Sequence, residues 1–306
     1  AAQLTAIARG LTMDELAASP TAITNININS PRKFDVEMAA AAMAMAEMGQ
    51  ATVITPFTLM GAMTPVTLAG ALTQQNAEAL FGIALTQLVR PGAPVVYGGF
   101  TSNVDMKTGA PAFGTPENTL ANIAGGQLAR RYGLPYRTSA CSASNAVDAQ
   151  AVWETQMALW GAVNGHGNLI YHSAGWGEGG LVADFEKVIV DCEMLQAMAE
   201  FLSPPEFSEA DFAFDAHDEV EPGGHFFGAA HTMERYQSAF YSPFLSDWSN
   251  HENWRDAGGR TTTERAMEIW PKIVEAYPPP PSDPARVEEM QAYIARRKEE
   301  IGSGEP

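Results

Sequence analysis

The sequence predicts an α/β fold: a (β/α)8 TIM barrel, incomplete at its N-terminus, with a C-terminal helical extension. Three observations predict it. Apolar, β-rich runs recur at residues 52–55 (TVIT), 94–97 (PVVY), 135–138 (PYRT) and 168–171 (NLIY), with Val53, Pro94, Pro135 and Asn168 spaced by 41, 41 and 33 residues. A punctuated helix fits each gap, and strands alternating with helices at this period form parallel βα units. The strands then run into TPF, YGGF, TSA and HSAGW, so small, polar and aromatic residues gather at several C-terminal strand ends, where barrel sites are built.

In chain order, the opening AAQLTAIA reads as mid-helix and begins with Ala1 rather than Met, so the reading expects chain upstream. Residues 22–28 alternate apolar and polar as a strand does, and residues 36–48 form an Ala/Met helix. Thr64 and Pro65 are a cap and first-turn proline for a helix that stops at Arg90-Pro91-Gly92. Thr115-Pro116-Glu117 opens the next, and Arg131-Tyr132-Gly133 closes it with a cation and a C′ glycine. Residues 148–163 and 181–201 supply two more helices. Only about five units are countable against the eight a barrel needs. Either the missing strands precede residue 1 or the sheet is open.

Beyond Phe201 the alternation ends in an acidic, aromatic stretch. Residues 1–256 therefore read as the barrel portion. Residues 257–306 read as the helical extension, with a four-proline connector at 278–281 and a surface helix at 283–300 packing on the outside or against another subunit.

Composition narrows the function. With 18 Lys+Arg against 36 Asp+Glu the net charge is −18, which repels phosphate backbones and anionic lipid, so neither nucleic acid nor membrane is an expected partner. Two cysteines, Cys141 and Cys192, make neither a CxxC pair nor a disulfide framework. The absence of a signal peptide or a long apolar run at residues 1–306 fits a cytoplasmic enzyme.

Three constellations could carry chemistry. Gly175, Gly177 and Gly180 satisfy GxGxxG, yet the acidic residue that a dinucleotide site needs on a following strand has no strand to sit on. His217, His225 and His231, close to Asp215, Asp218 and Glu219, are the alternative, a metal set for a barrel hydrolase; no pair shows helical HxxxH spacing. The third set is aromatic. Phe57, Tyr97, Phe100, Tyr171 and Trp176 sit at or past strand ends, where their faces would attract a quaternary ammonium by cation–π contact. His172, ending the NLIYH strand, is either a core histidine or a site residue.

Five segments carry a resemblance: PVTLAGALTQQNAEAL (65–80), APVVYGG (93–99), LARRYGLPYR (128–137), DAQAVWET (148–155) and PGGHFFGAAHTMERY (222–236). In order and over nearly the whole chain, they resemble the trimethylamine:corrinoid methyltransferase family. The resemblance implies a larger (β/α)8 barrel, of which this chain matches the later two-thirds. It implies methyl transfer from a methylated amine to the Co(I) corrinoid of a partner protein, with no cofactor bound directly by this chain. Archaeal trimethylamine enzymes carry pyrrolysine in the region matching residues 139–148. Here that region reads SACSASNAVD, so the chain resembles the non-pyrrolysine branch acting on quaternary amines such as glycine betaine, with Ser144 or Asn145 as the candidate equivalent of the pyrrolysine position.

The chemistry agrees with that loss, because a quaternary ammonium leaves as a neutral amine and needs no general acid. The candidate catalytic residues are then His172, Glu178 and Asn145. The candidate substrate-binding residues are Phe57, Tyr97, Phe100, Tyr171, Trp176 and His225, with His172 or His225 serving a betaine carboxylate. Residues 178–235 hold 14 acidic and two basic residues, a field compatible with a cationic substrate and equally with plain solubility. A homo-oligomer is expected. A barrel that binds betaine without turnover is the non-enzymatic alternative.

Overall fold

The computed structural model describes residues 1–302. Two short helices, α1 (Ala2–Arg9) and α2 (Met13–Ala18), precede the layered region. That region runs β1 (Ile23–Ile28), α3 (Val36–Glu47), β2 (Ala51–Met60), α4 (Leu68–Val89), β3 (Val95–Gly98), β4 (Phe100–Val104), β5 (Pro111–Ala112), α5 (Pro116–Arg131), β6 (Tyr136–Ser139), α6 (Ala149–Asn164) and β7 (Leu169–Tyr171). A two-stranded hairpin, β8 (Trp176–Gly177) with β9 (Val182–Ala183), leads into α7 (Phe185–Leu202).

The main sheet is parallel except for the two-residue β5, which pairs antiparallel with β4. β2 pairs β1 on one side and β3 on the other, β3 pairs β6, and β6 pairs β7. β2 is long enough to pair twice: beyond Ile54↔Tyr97 the same register resumes at Phe57↔Phe100, so β3 and β4 are one strand interrupted at Gly99. Neighbours in the sheet are therefore neighbours in sequence, without the reversal of order that defines a doubly wound sheet. Among the described residues β1 and β7 each pair on one side only, and the sheet is an open arc.

The inner strands β2 and β6 bury both faces, as parallel strands do, while the edge strand β1 leaves Ile23 and Asn27 exposed. On the helix side Ile26, Ile28, Ile54, Tyr97 and Tyr136 pack with Ala42, Ala79, Ile83 and Ala129. A second cluster forms at the C-terminal strand ends from Leu59, Val104, Phe113 and Cys141, with Phe57, Phe100 and Trp176 against it. Gly98 is required where β3 meets β2, because a Cβ there would strike Thr55 Oγ1 and come within 2.5 Å of the Ile54 carbonyl oxygen.

Two helix starts differ from expectation. α4 begins after Thr67, whose hydroxyl accepts from Gly70 N, rather than at Thr64-Pro65, because residues 61–64 are spent on a turn that returns Thr64 to Met60. α7 begins at Phe185 rather than near residue 181, since the glycine-rich stretch folds as the β8–β9 hairpin, with Gly175, Gly179 and Gly180 at positive φ. The GxGxxG glycines thus lie in a hairpin, and the following helix opens only after it.

Beyond α7 come α8 (Phe214–Glu219), α9 (Ala230–Arg235), α10 (His251–Asp256), α11 (Thr262–Glu275) and α12 (Pro284–Ile301). α11 seats Ala266 against Ile189 and Val190 of α7. α12 lies outside against α1, joined by hydrogen bonds from Tyr293 to Gln3 and from Arg286 to the Ala8 carbonyl. Among the described residues no helix is long and apolar enough to cross a membrane.

Candidate functional site

The site grows from the alternation of β6. Successive side chains of a strand face opposite ways. Tyr136 and Thr138 turn to the helix layer, where the Tyr136 hydroxyl donates to the Asn122 carbonyl and Thr138 Oγ1 to Asn122 Oδ1. Arg137 and Ser139 take the other face.

Arg137 is the least expected residue there. Only 2% of its surface is exposed, and its guanidinium carbon lies 4.4 Å from the centroid of the Tyr171 ring and 5.3 Å from that of Phe100. Its Nε and Nη1 have no hydrogen-bond partner among the described residues. The ionisable groups that most affect it are Tyr171, Tyr136 and Cys141, none a carboxylate; burial pulls its pKa down to about 10, which leaves it cationic at neutral pH. Buried charges are ordinarily paired. This one has no anionic partner among the described residues.

His172 closes the site from the end of β7. Its backbone is left-handed, at φ 61, and its Nδ1 lies 2.5 Å from Ser139 Oγ. Burial, and then the neighbouring Arg137 charge, lower its pKa to about 4, so the imidazole is neutral at pH 7. Around it stand aromatic rings: Phe100 at 5.3 Å between centroids, Trp176 at 4.9 Å in an edge-on arrangement, and Tyr171 at 6.1 Å. Phe57 and Phe113 extend the wall from the far side of Phe100, at 4.9 and 5.2 Å.

Of the expected aromatic set, then, Phe57, Phe100, Tyr171 and Trp176 converge. Tyr97 does not. Three positions separate it from Phe100 along one strand, so the two face opposite ways. Tyr97 is wholly buried beside the helices, 6.1 Å from the Tyr132 ring, with its hydroxyl donating to Asn76 Oδ1. His225 is also absent from the wall: it is exposed in the C-terminal segment and packs against Phe227. His217 packs instead against Phe226, and among the described residues no three His, Cys, Asp or Glu side chains come together as a metal site, so the set His217, His225 and His231 does not assemble.

A family model described as trimethylamine methyltransferase (MTTB) matches residues 1–302. The chain belongs to that family. It is 38% identical over 290 residues to a glycine betaine methyltransferase of Desulfitobacterium hafniense (strain Y51), covering 94% of this chain and 60% of that protein. It is 30% identical over 259 residues to the trimethylamine methyltransferase MttB of Desulfitobacterium hafniense (strain DSM 10664 / DCB-2), covering 84% of this chain and 50% of the relative. With a proline betaine:corrinoid methyltransferase of Eubacterium limosum it shares 31% over 210 residues, 68% of this chain and 43% of that one. The chain thus spans between 43% and 60% of the length of these relatives.

In this member of the trimethylamine methyltransferase family the loops after β6 and β7 are joined at the rim. The Glu178 amide donates to the Ser144 carbonyl and the Gly179 amide to that of Ser142. Glu154 of α6 holds the first loop, one carboxylate oxygen accepting from Ser142 Oγ at 2.8 Å and from the amides of Ala143 and Ser144. Asn145 and the Glu178 side chain are exposed on this rim, whereas Ser144 is buried. Arg137, Ser139 and Phe113 are site residues that motif reading passes over. The signal for Arg137 is a lone cation inside PYRT, a strand otherwise fit for burial.

Proposed function

We propose that this chain takes part in methyl transfer from a betaine, a quaternary ammonium bearing a carboxylate, to the Co(I) corrinoid of a partner protein. The single observation that carries the betaine reading is the unpaired Arg137 guanidinium beside an aromatic wall. A carboxylate on Arg137 satisfies its free N–H groups through charge-assisted bonds. The ammonium of the same molecule then meets ring faces of Phe57, Phe100, Tyr171 or Trp176, whose attraction for a desolvated cation reaches about 2 kcal/mol. Neutral His172 adds a hydrogen-bonding nitrogen without adding charge. The betaine substrates named for the glycine betaine and proline betaine relatives have this two-ended character.

The corrinoid cobalt supplies the nucleophile when the partner docks. The C–N bond breaks with its electron pair passing to nitrogen, so the product is a neutral tertiary amine and no proton is required. What the chain contributes is position and dryness: the aromatic wall aligns the methyl group and excludes water from the reaction path. The consecutive order of the parallel strands supports an arc of a (β/α)8 barrel, its mouth at the C-terminal strand ends. We further assign the protein to the cytoplasm as a homo-oligomer, a reading supported by two free cysteines and by exposed aromatics such as Phe227 and Phe240.

Calorimetric titration with glycine betaine, choline and trimethylamine tests the binding, and a Co(I) corrinoid added with the betaine tests turnover. The expected result is preference for the betaine and appearance of methylcobalamin. Equal affinity for choline overturns the carboxylate assignment. Binding without methyl transfer favours a non-catalytic betaine-binding barrel.

A further inference from the structure

A buried ion pair lies beneath the loop that carries His172 and Trp176. Lys187 and Asp191, one turn apart on α7, are 2% and 1% exposed, with Nζ 2.6 Å from Asp191 Oδ2. Lys187 Nζ also donates to Thr155 Oγ1 of α6 at 2.9 Å. The same Asp191 oxygen accepts the Gly175 amide at 2.8 Å. Gly175 is buried at φ 82, and a Cβ on it would lie 2.5 Å from Val188 Cγ2, so the loop backbone is pressed directly against α7. Its carbonyl in turn accepts the Asp184 amide.

Replacing a buried ion pair by apolar residues of similar size is often neutral or stabilising. Stability is therefore a poor account of this pair, and its geometry offers a better one. Gly175 is three residues past His172 and immediately before Trp176, so one amide fixes the span that sets both side chains. We propose that Asp191, held by Lys187, which in turn donates to Thr155, is a positioning residue: it latches Gly175 and thereby fixes Trp176 and His172 beside Arg137. The latch rests on the betaine reading only for its ligand. Its structural content is the span from residue 172 to residue 177.

Two double variants separate latch from ion pair. Lys187→Met with Asp191→Asn discards both charges and keeps an acceptor for the Gly175 amide. Lys187→Met with Asp191→Leu discards the acceptor as well. Glycine betaine affinity by calorimetry is expected to stay within about threefold of the parent in the first and to fall about tenfold or more in the second. Amide exchange at Gly175 is expected to accelerate only in the second, by about two orders of magnitude. Equal affinity and equal exchange in the two variants overturn the latch. Should the leucine variant fail to fold, the parent still decides: a Gly175 amide that exchanges as fast as exposed loop amides overturns the proposal. A parent chain that does not bind glycine betaine overturns the functional reading alone, and the exchange comparison then decides the latch.

Discussion

Arg137 stacks its guanidinium on the Tyr171 ring at 4.4 Å, in a place where no carboxylate of the described chain meets it. Strand pairing makes this stacking possible, since β6 and β7 lie side by side with Arg137 opposite Leu169 and Ser139 opposite Tyr171. Substrate preference and stability meet in this one side chain. Arg137→Met keeps the bulk and removes the charge, so glycine betaine affinity should fall by about 2 kcal/mol, in the range for hydrogen bonds to charged groups. Choline, lacking the carboxylate, should bind as before. The melting temperature should hold or rise, because an unpaired buried charge has been removed. Parallel titrations and thermal melts check all three, and an equal loss for choline would place the ammonium, rather than the carboxylate, on this side.

Trp176→Ala and Tyr97→Phe form a second, paired prediction. The tryptophan stands against His172 in the wall, and its loss should weaken betaine binding by roughly 0.5–2 kcal/mol with little change in unfolding. Tyr97 faces the helices, so removing its hydroxyl should leave affinity unchanged and cost about 1 kcal/mol of stability as its bond to Asn76 is lost. Reversed outcomes would mean that Tyr97 rather than Trp176 faces the ligand.

How much of this was legible in the sequence depends on what each feature's signal was. The parallel βα order was, because period and helix caps are local. Thr115 and Asp148 cap α5 and α6 as their residue types suggest. The face of Tyr97 was not, because a strand end identifies the rim without saying inward or outward, and parity must be counted through Gly99. Arg137 stood in plain view inside PYRT, but its lack of a partner is a property of three-dimensional neighbours. The hairpin before α7 was hidden for a related reason: the glycines that build it also build dinucleotide loops.

His172 gives a pH prediction. Burial lowers its pKa to about 4 from an ordinary value of 6.5, so the unfolded chain takes up a proton at higher pH than the folded one. Stability contributed by the neutral ring is therefore complete above pH 6.5 and is lost progressively as pH falls toward 4. Allowing for the ring's partial contact with solvent, the loss is about 1–2 kcal/mol. His172→Gln should flatten this part of the stability profile between pH 7 and 4.5. Denaturant midpoints for both proteins across that window check it, and parallel profiles would sink the assignment.

Glu154 offers a test of the rim. One of its oxygens gathers the Ser142 hydroxyl and two consecutive amides, while the other accepts from Gln150. Glu154→Gln keeps an acceptor but removes the charge that strengthens all three bonds on the first oxygen. Amide exchange at Ala143 and Ser144 should quicken, and betaine affinity should drop less than in Arg137→Met, because the loop lies at the rim of the aromatic wall without supplying the anion seat. A fall as large as that for Arg137 would move the loop from the border into the seat.

Gly98→Ala probes the sheet on which the site depends. A Cβ at this position meets Thr55 Oγ1, the Ile54 carbonyl oxygen at 2.5 Å and Thr55 Cα at 2.8 Å, and two of these are backbone atoms that cannot rotate away. The methyl must therefore push β3 from β2 along the edge where Tyr97 pairs with Ile54 and Phe100 with Phe57. Overpacking of this kind costs about 1–3 kcal/mol, and the strain falls between the strand that carries Phe57 and the one that carries Phe100. Both stability and betaine affinity should decline together, unlike Tyr97→Phe, which touches stability alone. If affinity survives a clear loss of stability, the position of the Phe57–Phe100 pair is not what sets the cation seat, and Trp176 with Tyr171 must form it.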